Sequence, residues 1–291
     1  MFLLSIFRGM TIMQEYSILF LDIDGTVLDT QNRISANLKQ LFKKIIREEI
    51  PIVLNSSRSP SGTMEIRRVT GMQSPCICYG GGLIVGDREQ IVAESGIPVE
   101  DALNLYRRIC SLSYDISVSF FVYDVWMTDR RKHPMIIREA EITGCEPVEC
   151  NFESIGTLTQ SIHKILCIGE HTALEELVRM GNAEFSGIQM LFSKVDYLEI
   201  TSRKASKGNA VRRVCDYYGV SPEDTVAVGD GMIDRSMLEV CGLGIAMGNS
   251  PAELKHVADM VAPHADDDGL YKVLKDLNLH RQFPGSGPLN L

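Results

Sequence analysis

The chain has 291 residues, enough for one large or two medium domains with cores of their own. Apolar residues make up 45% and charged residues 23%, the balance of an ordinary globular protein. The formal net charge of −9 argues against a nucleic acid or an anionic membrane as partner, because both need a basic face.

The first apolar stretch, Phe2 to Phe7, is too short to span a bilayer and has no basic segment before it. None of the eight cysteines forms a CxxC pair. Several sit inside apolar runs, where Cys behaves as a small hydrophobe, and reduced thiols of a cytoplasmic protein are expected. Residues 1–13 and 280–291 read as flexible ends, and Met1, Met10 and Met13 are all candidate starts. Monomer and homodimer both stay open.

Ser17–Leu21 is a continuous apolar run that reads as a buried parallel strand ending at Asp22. Residues 34–49 place Ile34, Leu38, Leu41 and Ile45 at helical spacing. Ile50–Leu54 predicts a second buried strand, ending at Asn55-Ser56-Ser57-Arg58. Residues 60–70 predict a helix stopped by Gly71, and Cys76–Tyr79 a third strand broken at Gly80-Gly81-Gly82. The same alternation returns late in the chain. Helices are expected at 205–218, 232–240 and 251–258, with strands at Thr225–Val228 and Gly244–Met247. This order implies an α/β fold with a doubly wound, Rossmann-like parallel sheet.

The middle differs. It has the alternating run SVSFFVYDVWMT, a strand at His163–Ile168 and a helix at Thr172–Met180. Residues 86–191 therefore read as an α/β cap inserted between two parts of a core, 14–85 and 192–279. Within the cap, Trp126 reads as a core residue of a sheet, and Arg130-Arg131-Lys132 as a solvated turn.

Four groups of residues carry chemistry. Asp22-Ile23-Asp24-Gly25-Thr26 follows a buried strand, where open α/β sheets bind ligands. It fails as a calcium loop, because Gly25 falls at loop position four and Arg33 at position twelve. Gly229-Asp230-Gly231-Met232-Ile233-Asp234 also follows a buried strand. Together the two runs put four carboxylates at strand ends, which repel one another unless a hard cation such as Mg2+ sits among them. Ser56 offers a hydroxyl at a strand end. Lys207 begins a helix, a place unfavourable for a cation unless an anion binds there.

Taken together, these residues resemble the four motifs of the haloacid dehalogenase (HAD) superfamily. The long interval between the second and third motifs resembles its Cof-type branch, which carries a type-IIB cap. Gly244-Ile245-Ala246-Met247-Gly248-Asn249-Ser250 is similar to that branch's AMGNA segment. The resemblance spans about residues 16–276.

It implies a magnesium-dependent phosphatase of small phosphorylated metabolites, sugar phosphates or cofactor-like esters. Asp22 would be the nucleophile that forms an aspartyl-phosphate, and Asp24 the general acid and base. Ser56 and Lys207 would hold phosphoryl oxygens, with Gly25, Thr26, Ser57 and Arg58 lining the phosphate site. Asp22, the backbone of Asp24, Asp230 and Asp234 would make up the metal site. The alternatives are a phosphomannomutase-like phosphotransferase and a non-catalytic binding or sensor protein. Three positions depart from the family pattern: Ser57 in place of Gly, Ile233 in place of Asn, and Gly80 in place of Asn.

Overall fold

The computed structural model describes residues 15–157, 159 and 161–280. The expectations for residues 1–13 and 281–291 lie outside the described residues. His280, expected in a flexible end, is held: its N–H donates to the Tyr16 carbonyl at 2.9 Å.

In chain order the early elements are β1 (Ile18–Leu21), α1 (Ala36–Arg47), β2 (Ile52–Asn55), α2 (Pro60–Thr70), β3 (Cys76–Cys78), β4 (Leu83–Val85), β5 (Ile91–Glu94), β6 (Ile97–Pro98) and α3 (Val99–Cys110). The middle holds β7 (Ser117–Val122), β8 (Val125–Thr128), α4 (Pro134–Thr143), β9 (Val148–Glu149), β10 (Ser161–Ile162), β11 (Lys164–Ile168), α5 (His171–Glu184), β12 (Ile188–Lys194) and β13 (Tyr197–Ser202). The last part holds α6 (Lys207–Tyr218), β14 (Thr225–Gly229), α7 (Arg235–Leu238), β15 (Leu243–Ala246), α8 (Ala252–Val257), β16 (Met260–Val261) and α9 (Gly269–Leu274). The described residues form two compact units, one within residues 15–52 and 214–280 and the other within residues 53–213.

In the first unit the strand order is β16-β15-β14-β1, parallel throughout. Ile18, Leu19, Phe20 and Leu21 are fully buried, which explains why β1 reads as an unbroken apolar run. α1 buries Leu38, Phe42 and Ile45 on one face. Its N-cap is Ser35, whose Oγ accepts from the Leu38 N–H at 3.0 Å and donates to Asp268 at 2.6 Å. The helix expected at 232–240 is a 3-10 turn, Met232–Asp234, followed by the short α7.

In the second unit the order β2-β3-β4-β5 begins parallel and turns antiparallel at β4 and β5. A separate sheet has the order β12-β13-β11-β7-β8-β9, antiparallel except for the last pair. One face packs on α3 and α5 through Phe120, Leu103, Leu174 and Leu177. Phe120 stacks on Phe152 with ring centroids 4.1 Å apart. Trp126 is buried on β8, beside Phe121.

β5 thus joins the sheet of β2–β4, and β12 and β13 join the separate sheet. Backbone pairing joins β5 to strands before the division expected at 85/86, and joins β13 and the straddling β12 to strands before the division expected at 191/192. Among the described residues no helix is long and apolar enough to cross a membrane.

Candidate active site

In the first unit, β1 and β14 lie side by side, with Leu21 level with Val228. The residues that follow them, Asp22 and Asp230, therefore leave the same edge of the sheet. The Asp22 N–H donates to the Val228 carbonyl at 2.9 Å, which carries the pairing one residue past β1. Asp22, Asp230 and Asp234 each present a carboxylate oxygen, and these oxygens all lie within 4.8 Å of one another. Asp22 is 7% exposed and Asp234 1%. Three carboxylates this close repel in a partly desolvated setting, and a cation among them would relieve that repulsion. An all-oxygen donor set fits Mg2+.

The three acids do different work. Asp234 Oδ2 accepts from the Asp230 and Gly231 N–H groups, each at 2.9 Å, and so fixes the turn after β14. Asp230 Oδ2 accepts from the Asn249 amide at 2.9 Å. Asp24 stands outside the three-carboxylate group and is exposed.

Gly25 has φ +78°, a left-handed conformation that disfavours other residues. A Cβ there would lie 2.2 Å from Asp230 Oδ2, so this position also needs a residue without a side chain. Thr26 is 3% exposed, and its Oγ1 has no hydrogen-bond partner among the described residues.

In the second unit, Ser56 follows β2 and is 1% exposed. Its Oγ accepts from the Arg58 N–H at 3.2 Å, and its carbonyl accepts from the Gly80 N–H at 2.9 Å. Ser57 and Arg58 are half-buried beside it. Lys207, the first residue of α6, is 1% exposed. The Asn55 amide donates to the Lys207 carbonyl at 3.3 Å, which ties the helix start to the end of β2. Gly81, at φ +104°, lets the chain pass the same helix start. A Cβ there would lie 2.3 Å from the Ser206 carbonyl oxygen.

The departure at Gly80 has a conformational explanation. Its φ of 63° and ψ of 27° are left-handed, a region that Gly and Asn both adopt. Ile233 is 38% exposed on the turn after β14. Arg130 and Arg131, on the turn after β8, pair with Asp115 and Glu146 at the surface.

A family profile described as haloacid dehalogenase-like hydrolase matches residues 19–274. The chain belongs to that family. The hydrolase is 29% identical over 261 residues to a putative phosphatase of Haemophilus influenzae, covering 90% of this chain and 98% of that one. Its fold is shared with a haloacid dehalogenase-like hydrolase from Bacteroides thetaiotaomicron, at a TM-score of 0.80, 24% identity, and coverage of 90% and 99%. A HAD subclass IIB sugar phosphatase superposes at a TM-score of 0.75 and 19% identity, covering 89% of this chain and 98% of that one. By enzyme class the chain is a hydrolase.

Asn249 has no assigned role in the motif reading, although it bonds directly to Asp230. The sequence signal is slight, an Asn in a Gly-Asn-Ser turn after β15. Its partners, Gly25 and Asp230, are remote in sequence.

Proposed function

We propose that the hydrolase removes phosphate from small phosphorylated metabolites, sugar phosphates foremost, with Mg2+ as its cofactor. The observation that carries this reading is the placement of Asp22 at the end of β1 within 4.8 Å of two further carboxylates. The subclass IIB sugar phosphatase of like fold supports the substrate class.

Asp22 attacks the phosphorus, and the ester oxygen leaves with a proton from Asp24. Asp24 then takes a proton from water, which cleaves the aspartyl-phosphate, releasing inorganic phosphate and restoring Asp22. Ser56 donates its hydroxyl and Lys207 its ammonium to phosphoryl oxygens, assisted by the loops of Gly25-Thr26 and Ser57-Arg58. Mg2+ held by Asp22, Asp230 and the Asp24 carbonyl would supply charge neutralisation. The Asp234 oxygen that two amides occupy supports a role behind Asp230.

The inserted segment, lying between β5 and α6, serves as the cap that selects substrate. The ion-paired Arg130 and Arg131 favour a phosphatase over a mutase, which needs free cap cations for a second phosphate. All eight cysteines are free thiols, which supports a reducing cytoplasm.

A phosphate-release screen over a panel of esters with Mg2+ tests the reading. Wild type should release phosphate, and Asp22→Asn should lose about 10³-fold or more in kcat. Wild-type protein that binds Mg2+ yet hydrolyses nothing in the panel would sink it.

A further inference from the structure

We infer that Asn249 is a positioning residue: its side-chain amide sets the orientation of the Asp230 carboxylate for the metal and locks it to the loop that carries the nucleophile. The inference rests on the proposed magnesium-dependent reaction, but it stands on geometry confined to the first unit.

One amide nitrogen makes both links. Asn249 Nδ2 donates to Asp230 Oδ2 and to the Gly25 carbonyl, each at 2.9 Å. The two protons of a primary amide are thereby used, one on each partner. The Asn249 oxygen is also taken, because Oδ1 accepts from the Ala265 N–H at 3.1 Å. That third bond fixes which end of the amide is nitrogen, since a flipped amide would set N–H against N–H at Ala265.

The packing leaves Asp230 no alternative seat on this side. A Cβ on Gly25 would lie 2.2 Å from Asp230 Oδ2 and 3.1 Å from Asn249 Nδ2, so carboxylate, amide and backbone are in close contact. On the other side, the Asp230 N–H is held by Asp234. Asp230 is thus anchored by its backbone through one acid and by its side chain through one amide.

The charge argument runs the same way. Three carboxylates within 4.8 Å push one another apart in the absence of a cation. A neutral donor on Asp230 Oδ2 opposes that spreading without adding a positive charge that would compete with the cation. A Lys or Arg at this position would make such competition, and a carboxylate would add to the repulsion.

Outer groups that orient metal ligands typically contribute 10- to 100-fold in metal affinity. Asn249→Ala should therefore raise the Mg2+ dissociation constant about 10-fold, measured by titration calorimetry on metal-stripped protein. At saturating Mg2+, KM for the ester should stay near the wild-type value, because the amide hydrogen bonds of Asn249 go to protein groups.

Ala265→Pro is the second variant. It removes the N–H that holds Asn249 Oδ1 at the first position of a 3-10 turn, where Pro is tolerated. The residue before it, His264, already has an extended ψ of 149°. This variant keeps Asn249 and should weaken Mg2+ binding about threefold, a smaller effect than Ala because the amide is loosened, not lost.

Mg2+ affinity within twofold of wild type in Ala265→Pro and in a folded Asn249→Ala overturns the inference. If Asn249→Ala fails to fold, Ala265→Pro decides alone. Wild-type protein that binds Mg2+ without releasing phosphate would remove the proposed function, and the calorimetric comparison would still judge the role of Asn249.

Discussion

At the scale of single residues, a polar side chain can be fully buried where hydrogen bonds satisfy it. His163 is an example outside the site. Its ring is fully buried, Nδ1 accepts from the Tyr123 N–H at 3.0 Å, and Nε2 faces Glu94 at 3.3 Å. A ring that accepts at Nδ1 is neutral and carries its proton on Nε2. Burial lowers the His163 pKa below the usual imidazole value, and the Glu94 carboxylate offsets part of that shift. The unfolded chain therefore binds the proton more tightly than the native one. The stability from neutral His163 is complete above about pH 6.5 and declines as pH falls from there toward the folded pKa, by at most about 1.4 kcal/mol per pH unit. Urea midpoints between pH 7.5 and 5.5 should fall more steeply for wild type than for His163→Gln; equal slopes would refute this.

At the scale of elements, apolar period located the buried pieces and misjudged the marginal ones. β1 and β14 were legible because both faces are covered, which produces unbroken apolar runs. β4 and β5 are short and antiparallel, and β5 is largely exposed, so their apolar runs, Leu83–Val85 and Ile91–Ala93, are too short to announce strands. The turn after β14 reads as helical because Ile233, Met237 and Val240 stand at i, i+4 and i+7. Asp234 instead draws two backbone N–H groups onto its side chain and tightens the first turn to 3-10. Side-chain caps matter in the same way at α1. Ser35→Ala removes the cap on the Leu38 N–H and the tie to Asp268, and should cost about 1 kcal/mol. A guanidinium midpoint unchanged from wild type would contradict that value.

At the scale of the whole molecule, the carboxylate group links metal binding to stability. Mg2+ that binds only the native state stabilises it by about 2.7 kcal/mol at a hundredfold excess over its dissociation constant. Calorimetric melting should show a higher Tm with Mg2+ than with a chelator. Asp230→Asn should melt above wild type in chelator, because one repelling charge is gone, and should lose most of the gain from Mg2+. A variant that melts lower in chelator and still gains fully from Mg2+ would count against this account of the group.

By itself the sequence determined the α/β class, the strand-end positions of Asp22, Asp24, Ser56 and Asp230, and the helix-start position of Lys207. All of these are local: an apolar run sets a strand, and the polar residue after it marks the strand's end. Only the tertiary structure decided that β14 lies beside β1, which brings Asp230 and Asp234 to Asp22 while Asp24 stays outside the group. It alone decided that β12 and β13 pair with β11, and that Asn249 reaches both Gly25 and Asp230. These are pairings between residues remote in the chain. Parallel strand order and amide contacts depend on which segments meet in space, and no period or spacing along one segment encodes that.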